Sequence, residues 1–268
     1  MSVEPRLAYS PLSALGRFAL AILLEMGRIA LFFLGAFFKM FALPVPVRRI
    51  LQQIHFIGMK SLFIVGLTAL FTGMVLGLQG YYTLVKFGSE TVLGAAVALS
   101  LVRELGPVLT ALMVTGRAGS SMAAELGIMR ISEQIDALDT MDIDPLRFLA
   151  SPRLAASIVS FPLLTAVFDV VGIIGGYLTG VILLGVNSGT YISHMESSVE
   201  MKDVSGGFIK SFAFALIVAT ICCYQGYMTH ERKEGFGARG VSFSTTSAVV
   251  MSSVLILAAD YVLTSFLL

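Results

Sequence analysis

The residues best suited to chemistry in this sequence are two adjacent charges, Arg103 and Glu104, inside a long apolar stretch. They belong to the segment LVRELGP, at the midpoint of the apolar run 91–116. A charge at the bilayer centre costs about 2.5–3.5 kcal/mol on insertion scales, so protein or a wet cavity normally shields it. Because neighbouring residues point about 100° apart on a helix, we expect each charge to have its own partner.

Asp169, at the middle of a later apolar run, is the candidate partner of Arg103. In one interpretation these two form a buried intramembrane pair that only fixes helix packing. In the other, Glu104 and Arg103 line a central cavity for a substrate with a polar head. Pro107 removes a helical hydrogen bond and is expected to bend the helix beside the charges. Asp260 lies closer to the outer surface and could snorkel towards it, and the sequence leaves its role open.

Sequence motifs for nucleotide, zinc or serine chemistry are absent: there is no GxxxxGK[ST], HExxH or GxSxG and no spaced Cys/His set. The two cysteines, Cys222 and Cys223, are adjacent in an apolar run and are interpreted as packing residues. A net charge of +1 with scattered Lys and Arg gives no basic face for nucleic acid. We therefore expect no catalytic residue, no metal site and no nucleic-acid partner.

The elements that carry these residues are predicted to be membrane-spanning helices. Hydrophobic residues make up 56% and charged residues 13% of the chain, and the mean hydropathy is +0.88. In soluble domains about 45–50% of the residues are apolar and about 25% are charged. The apolar blocks match the roughly 20 residues that a helix needs to cross a bilayer. The fold class is therefore an all-α polytopic membrane protein, with five predicted transmembrane helices at 57–80, 90–118, 154–185, 206–229 and 241–267.

The first apolar block, residues 15–43, carries four charges that decide its interpretation. On a helical projection Arg17, Glu25, Arg28 and Lys39 fall within one sector about 80° wide. A wide apolar face with one charged edge is typical of a helix lying in the membrane interface. We predict an N-terminal interfacial helix on the cytoplasmic side, with a sixth span as the alternative.

Basic residues in the loops orient the chain, because they favour the cytoplasm. They put the N-terminus in the cytoplasm and leave the polar segment 187–205 outside, where a short surface helix is predicted. The basic residues that decide this are Arg48, Arg49, Arg130, Arg147, Arg153, Arg232, Lys233 and Arg239.

A cytoplasmic segment at 130–147, RISEQIDALDTMDIDPLR, predicts a short acidic amphipathic helix. Ser132 is the predicted N-cap, Glu133 favours the positive helix start, and Pro145 marks the predicted end. Such a helix could lie on its own bundle or enter a groove on a soluble partner. Its predicted apolar face consists of Ile131, Ile135, Leu138 and Met141, with Asp136 and Asp139 pointing away from it.

Small residues recur at the spacing that lets helices approach closely. Gly73 and Gly77 form one pair, and Gly172, Gly176 and Gly180 form a ladder. The pattern predicts a tightly packed bundle but does not say which helices touch.

Four segments, taken together, resemble the MlaE (YrbE) family of permeases. They are GMVLGLQGY at 73–81, ALSLVRELGPV at 98–108, GRAGSSMAAELG at 116–127 and SEQIDALDTMDIDPLR at 132–147. The motifs are long and irregular, and the resemblance covers most of the chain. It implies a single permease domain over 1–268, divided into an N-terminal segment (1–48) with the interfacial helix and a five-helix transmembrane bundle (49–268).

The resemblance also implies a function and a set of partners. Proteins of this family are membrane subunits of ABC-type phospholipid transporters, here expected in the inner membrane of a Gram-negative bacterium. The permease forms a homodimer, an ABC ATPase binds ATP and Mg, a hexameric MCE-domain protein sits in the periplasm, and a STAS-domain protein binds the ATPase. The chain itself is expected to bind no cofactor. The residues alone leave open an ion-coupled secondary transporter or a membrane scaffold.

Site residues follow from the same resemblance. The lipid cavity corresponds to Val75, Leu76, Leu78, Gln79, Tyr81, Arg103 and Glu104. The coupling helix that receives the ATPase corresponds to Glu133, Gln134, Asp136, Ala137, Leu138, Met141 and Asp144.

Overall fold

The computed structural model describes residues 11–41, 46–231 and 237–267, and every regular element within these ranges is a helix. This confirms the all-α prediction. The α-helices are α1 (Pro11–Met40), α2 (Val47–Ile57), α3 (Leu62–Val85), α4 (Leu93–Ser100), α5 (Gly106–Val114), α6 (Ser120–Ile131), α7 (Gln134–Thr140), α8 (Ser151–Tyr177), α9 (Ser188–Ser198), α10 (Met201–Tyr227) and α11 (Ala238–Leu267). Single π-helical turns at Leu101–Leu105, Thr115–Gly119, Leu146–Ala150 and Leu178–Leu183 join or extend several of them.

Six helical stretches among the described residues are long and apolar enough to cross a membrane. Five of them contain almost all of the five predicted spans, so the polytopic architecture is confirmed. The stretches are Ala19–Met40, Val47–Val85, Glu90–Ile131, Leu146–Leu183, Met201–Tyr227 and Ala238–Leu267. Residues Arg232 and Lys233, used above for orientation, lie outside the described residues.

The N-terminal helix α1 contacts the start of α8 and the end of α10. Phe32 is buried in that contact. Two members of the predicted polar stripe bond to the bundle: Tyr224 donates to Glu25 over 3.1 Å, and Lys39 forms an ion pair with Asp144. At these two positions the charged side chains of the stripe therefore help to pack α1 against the bundle. The interfacial placement of α1 stays a prediction.

Helices α3 and α8 form the closest contact in the bundle, and the small residues explain it. A Cβ atom at Gly73 would lie 1.8 Å from the carbonyl oxygen of Gly172, and one at Gly175 would lie 2.3 Å from that of Leu70. No side chain larger than hydrogen fits between two backbones at that separation. The two predicted small-residue patterns thus pack against each other.

The external segment forms the predicted short helix, α9. Asn187 caps it, since its side-chain oxygen accepts the amide hydrogen of Thr190 over 3.1 Å. Tyr191 is buried, and its carbonyl oxygen would lie 2.3 Å from a Cβ at Gly94. The segment therefore covers the outer end of α4.

Candidate functional site

A pocket of about 150 Å³ opens at the end of the bundle that the basic loops assign to the outside. The π turn after α4, the start of α10 and the end of α11 meet there. We call it the polar pocket. Its lining residues are Arg103, Glu104, Glu200, Lys202, Asp203, Gly206, Gly207, Lys210, Thr264 and Leu267.

Lys210 is the buried centre of the polar pocket, with a side chain only 3% exposed. Its ammonium group donates to Glu104 Oε2 over 2.6 Å and to Thr264 Oγ1 over 2.7 Å. A carboxylate oxygen of Asp260 lies 3.1 Å away. A buried charge is tolerated when it is paired and hydrogen-bonded, and Lys210 meets both conditions. Asp260 thus binds inside the network, and the snorkelling interpretation was wrong.

Arg103 pairs with Asp203, which corrects the predicted pair with Asp169. The Arg103 Nε atom donates to Asp203 Oδ1 over 2.7 Å. The other Asp203 oxygen accepts the backbone N–H of Glu200 over 3.1 Å, in a capping box at the start of α10. Because both carboxylate oxygens of Asp203 are hydrogen-bonded, Asp203 fixes the position of the Arg103 side chain.

Asp169 lies against the backbone of Gly106 instead. A Cβ at Gly106 would meet its Oδ1 atom at 1.9 Å, and that oxygen has no hydrogen-bond partner among the described residues. The prediction failed because it compared the midpoints of two apolar runs. Helix extends from Glu90 to Ile131, so Arg103 lies on the outer side of the helix centre and not at it.

A π turn at Leu101–Leu105, followed by proline, places the two charges. Pro107 has no amide hydrogen, so the Arg103 carbonyl lacks the donor that an α-helix would supply four residues later. Lys210 donates to this carbonyl over 2.9 Å. A π turn thus stands beside the charges, and the lysine supplies the donor that the proline lacks. The predicted bend of the helix stays a prediction.

Lys210 reaches the Arg103 carbonyl because α10 lies close to the π turn. A Cβ at Gly207 would lie 2.6 Å from the carbonyl oxygen of Val102, so α10 rests directly on the π turn. Sequence reasoning missed Lys210 and Asp203, although a signal existed. The two charges are seven residues apart, on either side of the predicted start of a span, and this spacing puts them on one helix face.

The predicted cavity residues of α3 are not part of the polar pocket within one chain. Val75, Leu78 and Gln79 are exposed, whereas Leu76 and Tyr81 pack partly against the core. Tyr81 lines a separate pocket of about 160 Å³ beside the external segment. The assignment of these residues to a lipid cavity stays a prediction.

The predicted cytoplasmic helix exists as α7, but its start and end differ from the prediction. Ser132 ends α6, and its hydroxyl donates to the Ile128 carbonyl over 2.7 Å, so the predicted N-cap was wrong. Glu133 takes a left-handed conformation, with φ of 57°, and turns the chain before α7. The N-cap prediction failed because α6 continues through the position where a new helix was expected to begin.

One face of α7 packs on the chain's own bundle. Ile135 is buried and Leu138 packs partly against the cytoplasmic core, whereas Met141 is exposed. Asp136 pairs with Arg130 over 2.7 Å on the outer side of the helix. Of the other predicted coupling residues, Glu133, Gln134 and Ala137 are exposed, as is the neighbouring Asp139.

Asp144 connects the segment after α7 to α1 and α8. Its Oδ1 atom accepts the amide of Leu146 over 3.0 Å, and its other oxygen pairs with Lys39. Burial alone raises the pKa of this carboxyl, but the bonds from Lys39 and the backbone hold the pKa below its ordinary value. Pro145 starts the next helical turn; α7 has already ended at Thr140, which corrects the predicted end.

Comparison with known proteins assigns the family. The family model described as "Permease MlaE" matches residues 50–266. The chain is 42% identical over 252 residues to a "Probable ABC transporter permease protein" of Rickettsia bellii, covering 94% of this chain and 95% of the relative. It is 42% identical over 257 residues to the "Intermembrane phospholipid transport system permease protein MlaE" of Haemophilus influenzae, covering 96% and 97%.

A more distant relative is the chloroplastic protein TRIGALACTOSYLDIACYLGLYCEROL 1 of Arabidopsis thaliana, 39% identical over 219 residues, or 82% of this chain and 61% of that protein. The matched residues include the π turn, α7, α8 and α10. This chain therefore belongs to the MlaE permease family.

Proposed function

We propose that this chain is the permease subunit of an ATP-driven transporter that moves phospholipids between the inner and outer membranes and so maintains outer-membrane lipid asymmetry. The single observation that carries the proposal is the polar pocket, an ion-paired site open at one end of an apolar bundle. A phospholipid needs such a combination, with polar partners for its head group and apolar surface for its tails. The likeness to the Haemophilus influenzae phospholipid permease supports the same substrate.

The polar pocket is suited to a head group because its charges are balanced. Three lining side chains are cationic and three are anionic. The Arg103 side chain is 42% exposed and is held by Asp203 through Nε. Its terminal amino groups can therefore turn to a phosphate, for which a guanidinium is well suited.

The lipid tails need an apolar surface next to the head-group site. Val75 and Leu78 are exposed on one face of α3, beside the exposed amide of Gln79. In the proposed homodimer this face of each copy borders the shared lipid cavity. That arrangement buries Gln79 in a space that also holds polar head groups.

Energy for transport comes from a partner in this proposal, since the chain's own residues supply no hydrolytic chemistry. An ABC ATPase, with ATP and Mg, docks on the acidic outer face of α7, and a STAS-domain protein binds that ATPase. A hexameric MCE-domain protein receives or delivers lipid on the periplasmic side. The chain then lies in the inner membrane of a Gram-negative bacterium with its N-terminus in the cytoplasm.

The fold offers a route for motion from α7 to the polar pocket. Glu133 joins α7 to α6, which is continuous through α5 with the π turn that carries Arg103. At its other end, the segment with Asp144 leads into α8. A shift of α7 on ATP binding would move both helices and change the volume of the cavity.

Photo-crosslinking tests the lipid site. A photoreactive residue in place of Leu267, which lines the polar pocket, or of Leu78 is activated after detergent purification, when loosely held bilayer lipid has been diluted. We expect phospholipid adducts at both positions and none at Ile182, which is more exposed than either test position but lies away from the pocket. Absence of adducts at both test positions would count against the proposal.

A second experiment tests the coupling role of α7. The double substitution Asp139→Lys and Met141→Glu changes two exposed side chains and breaks no ion pair recorded in the described structure. We expect loss of ATPase copurification from membranes. Glu196→Lys, an exposed charge reversal on the external helix α9, is the matched control and is expected to retain the ATPase. Full ATPase binding by the α7 variant would refute the docking assignment.

A further inference from the structure

A second pocket, of about 540 Å³, lies on α2 at the cytoplasmic end of the bundle and plays no part in the proposed transport route. We call it the α2 pocket. Its lining combines cationic, amide and apolar side chains and includes no acidic one. The lining residues are Arg48, Leu51, Gln52, His55, Phe56 and Lys60.

The sequence of α2 explains why this pocket faces outwards. Ile54 and Ile57 pack on the core against α8, and Ile57 is fully buried. Arg48 and His55 are seven residues apart and therefore share the opposite face, where both are exposed. The amphipathic pattern thus fixes a basic face directed away from the bundle.

Aromatic packing adds a third cation behind the pocket. Two cations lie near the Phe56 ring: Lys60 Nζ is 5.5 Å from the ring centre, and the Arg117 guanidinium is 4.8 Å from it. Arg117 is held in place because it donates to the Phe56 carbonyl and to Ser61 Oγ, the latter over 3.2 Å. A fixed positive charge therefore lies behind the lining of the pocket, next to Phe56.

The cations of the α2 pocket lack counter-charges. Among the residues that the structure describes, Arg48 and Lys60 take part in no ion pair or hydrogen bond through their side chains. Other cytoplasmic cations do pair: Lys39 binds Asp144, and Arg153 binds Glu125 over 2.6 Å. The α2 pocket thus has a positive potential that no neighbouring carboxylate cancels.

The position of the α2 pocket along the membrane normal matches that of the lipid head groups in the cytoplasmic leaflet. Lys60 precedes by two residues the start of α3, where the apolar part of the span begins. Met59 and Phe63, beside the pocket, are exposed apolar side chains. A cation at the border of such a surface lies where lipid phosphates are found, and basic pockets at this level attract anionic lipids.

We propose that the α2 pocket binds the phosphate group of an anionic phospholipid from the cytoplasmic leaflet. The apolar side chains next to it contact the first carbons of the acyl chains. Free inorganic phosphate shares the head-group chemistry but not those chains. An acidic surface of a protein partner shares the charge but not the chains either.

Native mass spectrometry of the purified full-length chain tests the site with three probes: phosphatidylglycerol, phosphatidylcholine and inorganic phosphate. The test variant is Arg48→Gln with Lys60→Gln. Since each cation near the surface contributes about a factor of five, we expect phosphatidylglycerol binding to weaken about thirty-fold and phosphatidylcholine binding to stay unchanged. The matched control, Arg239→Gln with Lys86→Gln, removes the same charge elsewhere and is expected to bind phosphatidylglycerol like the unmodified chain.

Three outcomes would overturn the proposal. Equal weakening in the control would mean that net charge, and not this pocket, attracts the lipid. Complete displacement of phosphatidylglycerol by inorganic phosphate would assign the site to free phosphate. Unchanged lipid binding together with loss of ATPase copurification in the test variant would assign the face to a protein partner. None of these results bears on the polar pocket, whose lipid is detected at Leu267.

Discussion

Replacing Lys210 by methionine tests the central interaction of the polar pocket. Methionine keeps most of the side-chain length and removes the ammonium, so Glu104 and Asp260 lose their shared counter-charge and the Arg103 carbonyl loses its donor. Removing one partner of a fully buried pair costs about 3–5 kcal/mol. The Glu104 and Asp260 side chains are 39% and 21% exposed, so water reaches both.

The expected cost is therefore smaller than the fully buried value. Glu104 also keeps its bond from Thr264, at 3.2 Å. We expect destabilisation of about 2–3 kcal/mol, which for a chain of this size corresponds to a fall in melting temperature of about 5–10 °C. Thermal unfolding in detergent measures it. Lys202→Met, in the same pocket but exposed, is the control and is expected to change stability by less than about 0.5 kcal/mol.

A double-mutant cycle with Glu104→Gln separates the ion pair from other effects of the substitution. Groups in one network show coupling of about 0.5–3 kcal/mol, and the 2.6 Å contact between Lys210 and Glu104 puts this pair well within that range. The double variant is therefore expected to lose less stability than the two single variants together. Additivity within about 0.5 kcal/mol, or a loss for Lys210→Met no larger than for Lys202→Met, would refute the reasoning.

Three further predictions concern packing, pH and capping. Gly73→Ala forces a methyl group into the Gly172 carbonyl and is expected to cost at least about 3 kcal/mol in thermal unfolding, whereas Gly66→Ala, with no atom within 4 Å, is expected to be neutral or stabilising. The pKa of Asp144 lies below its ordinary value of 3.8, so the ionised carboxylate stabilises the fold above that pH. The difference in unfolding free energy between the unmodified chain and Asp144→Asn is expected to be constant above pH 3.8 and to shrink as the pH falls through the lowered pKa. A difference that grows on acidification would contradict this. Asn187→Ala removes the cap of α9 and is expected to cost about 1 kcal/mol, measured by hydrogen exchange of the first turn, with unchanged exchange as the opposing result.

The helices could be predicted from the sequence because hydrocarbon imposes one requirement on every span. Each apolar block must satisfy its own backbone hydrogen bonds, so length and hydropathy identify it without knowledge of its neighbours. The small-residue patterns of α3 and α8 were also visible as separate signals. Their pairing was not, because a glycine at helical spacing carries no information about which backbone approaches it.

The partners of the buried charges could not be predicted, for a geometric reason. Depth was estimated from the midpoint of an apolar run, but the helix continues to Ile131 and a π turn adds a residue before Gly106. These two features move Arg103 towards Asp203, about 100 residues later in the chain, and away from Asp169. The start of α7 could not be predicted either. The composition of the segment predicted a helix there, but Ser132 belongs to the end of α6 and does not cap α7.

The bond between Lys210 and the Arg103 carbonyl has a consequence for how this sequence can evolve. Pro107 creates the need for that donor, so loss of the lysine alone leaves the Arg103 carbonyl without its partner. A lineage that replaces the proline regains a backbone amide and relaxes one constraint on the lysine, which still pairs with Glu104 and Asp260. A lineage that loses the lysine first leaves the Arg103 carbonyl without a donor. We expect positions 107 and 210 to change together across the family, with the proline yielding before the lysine.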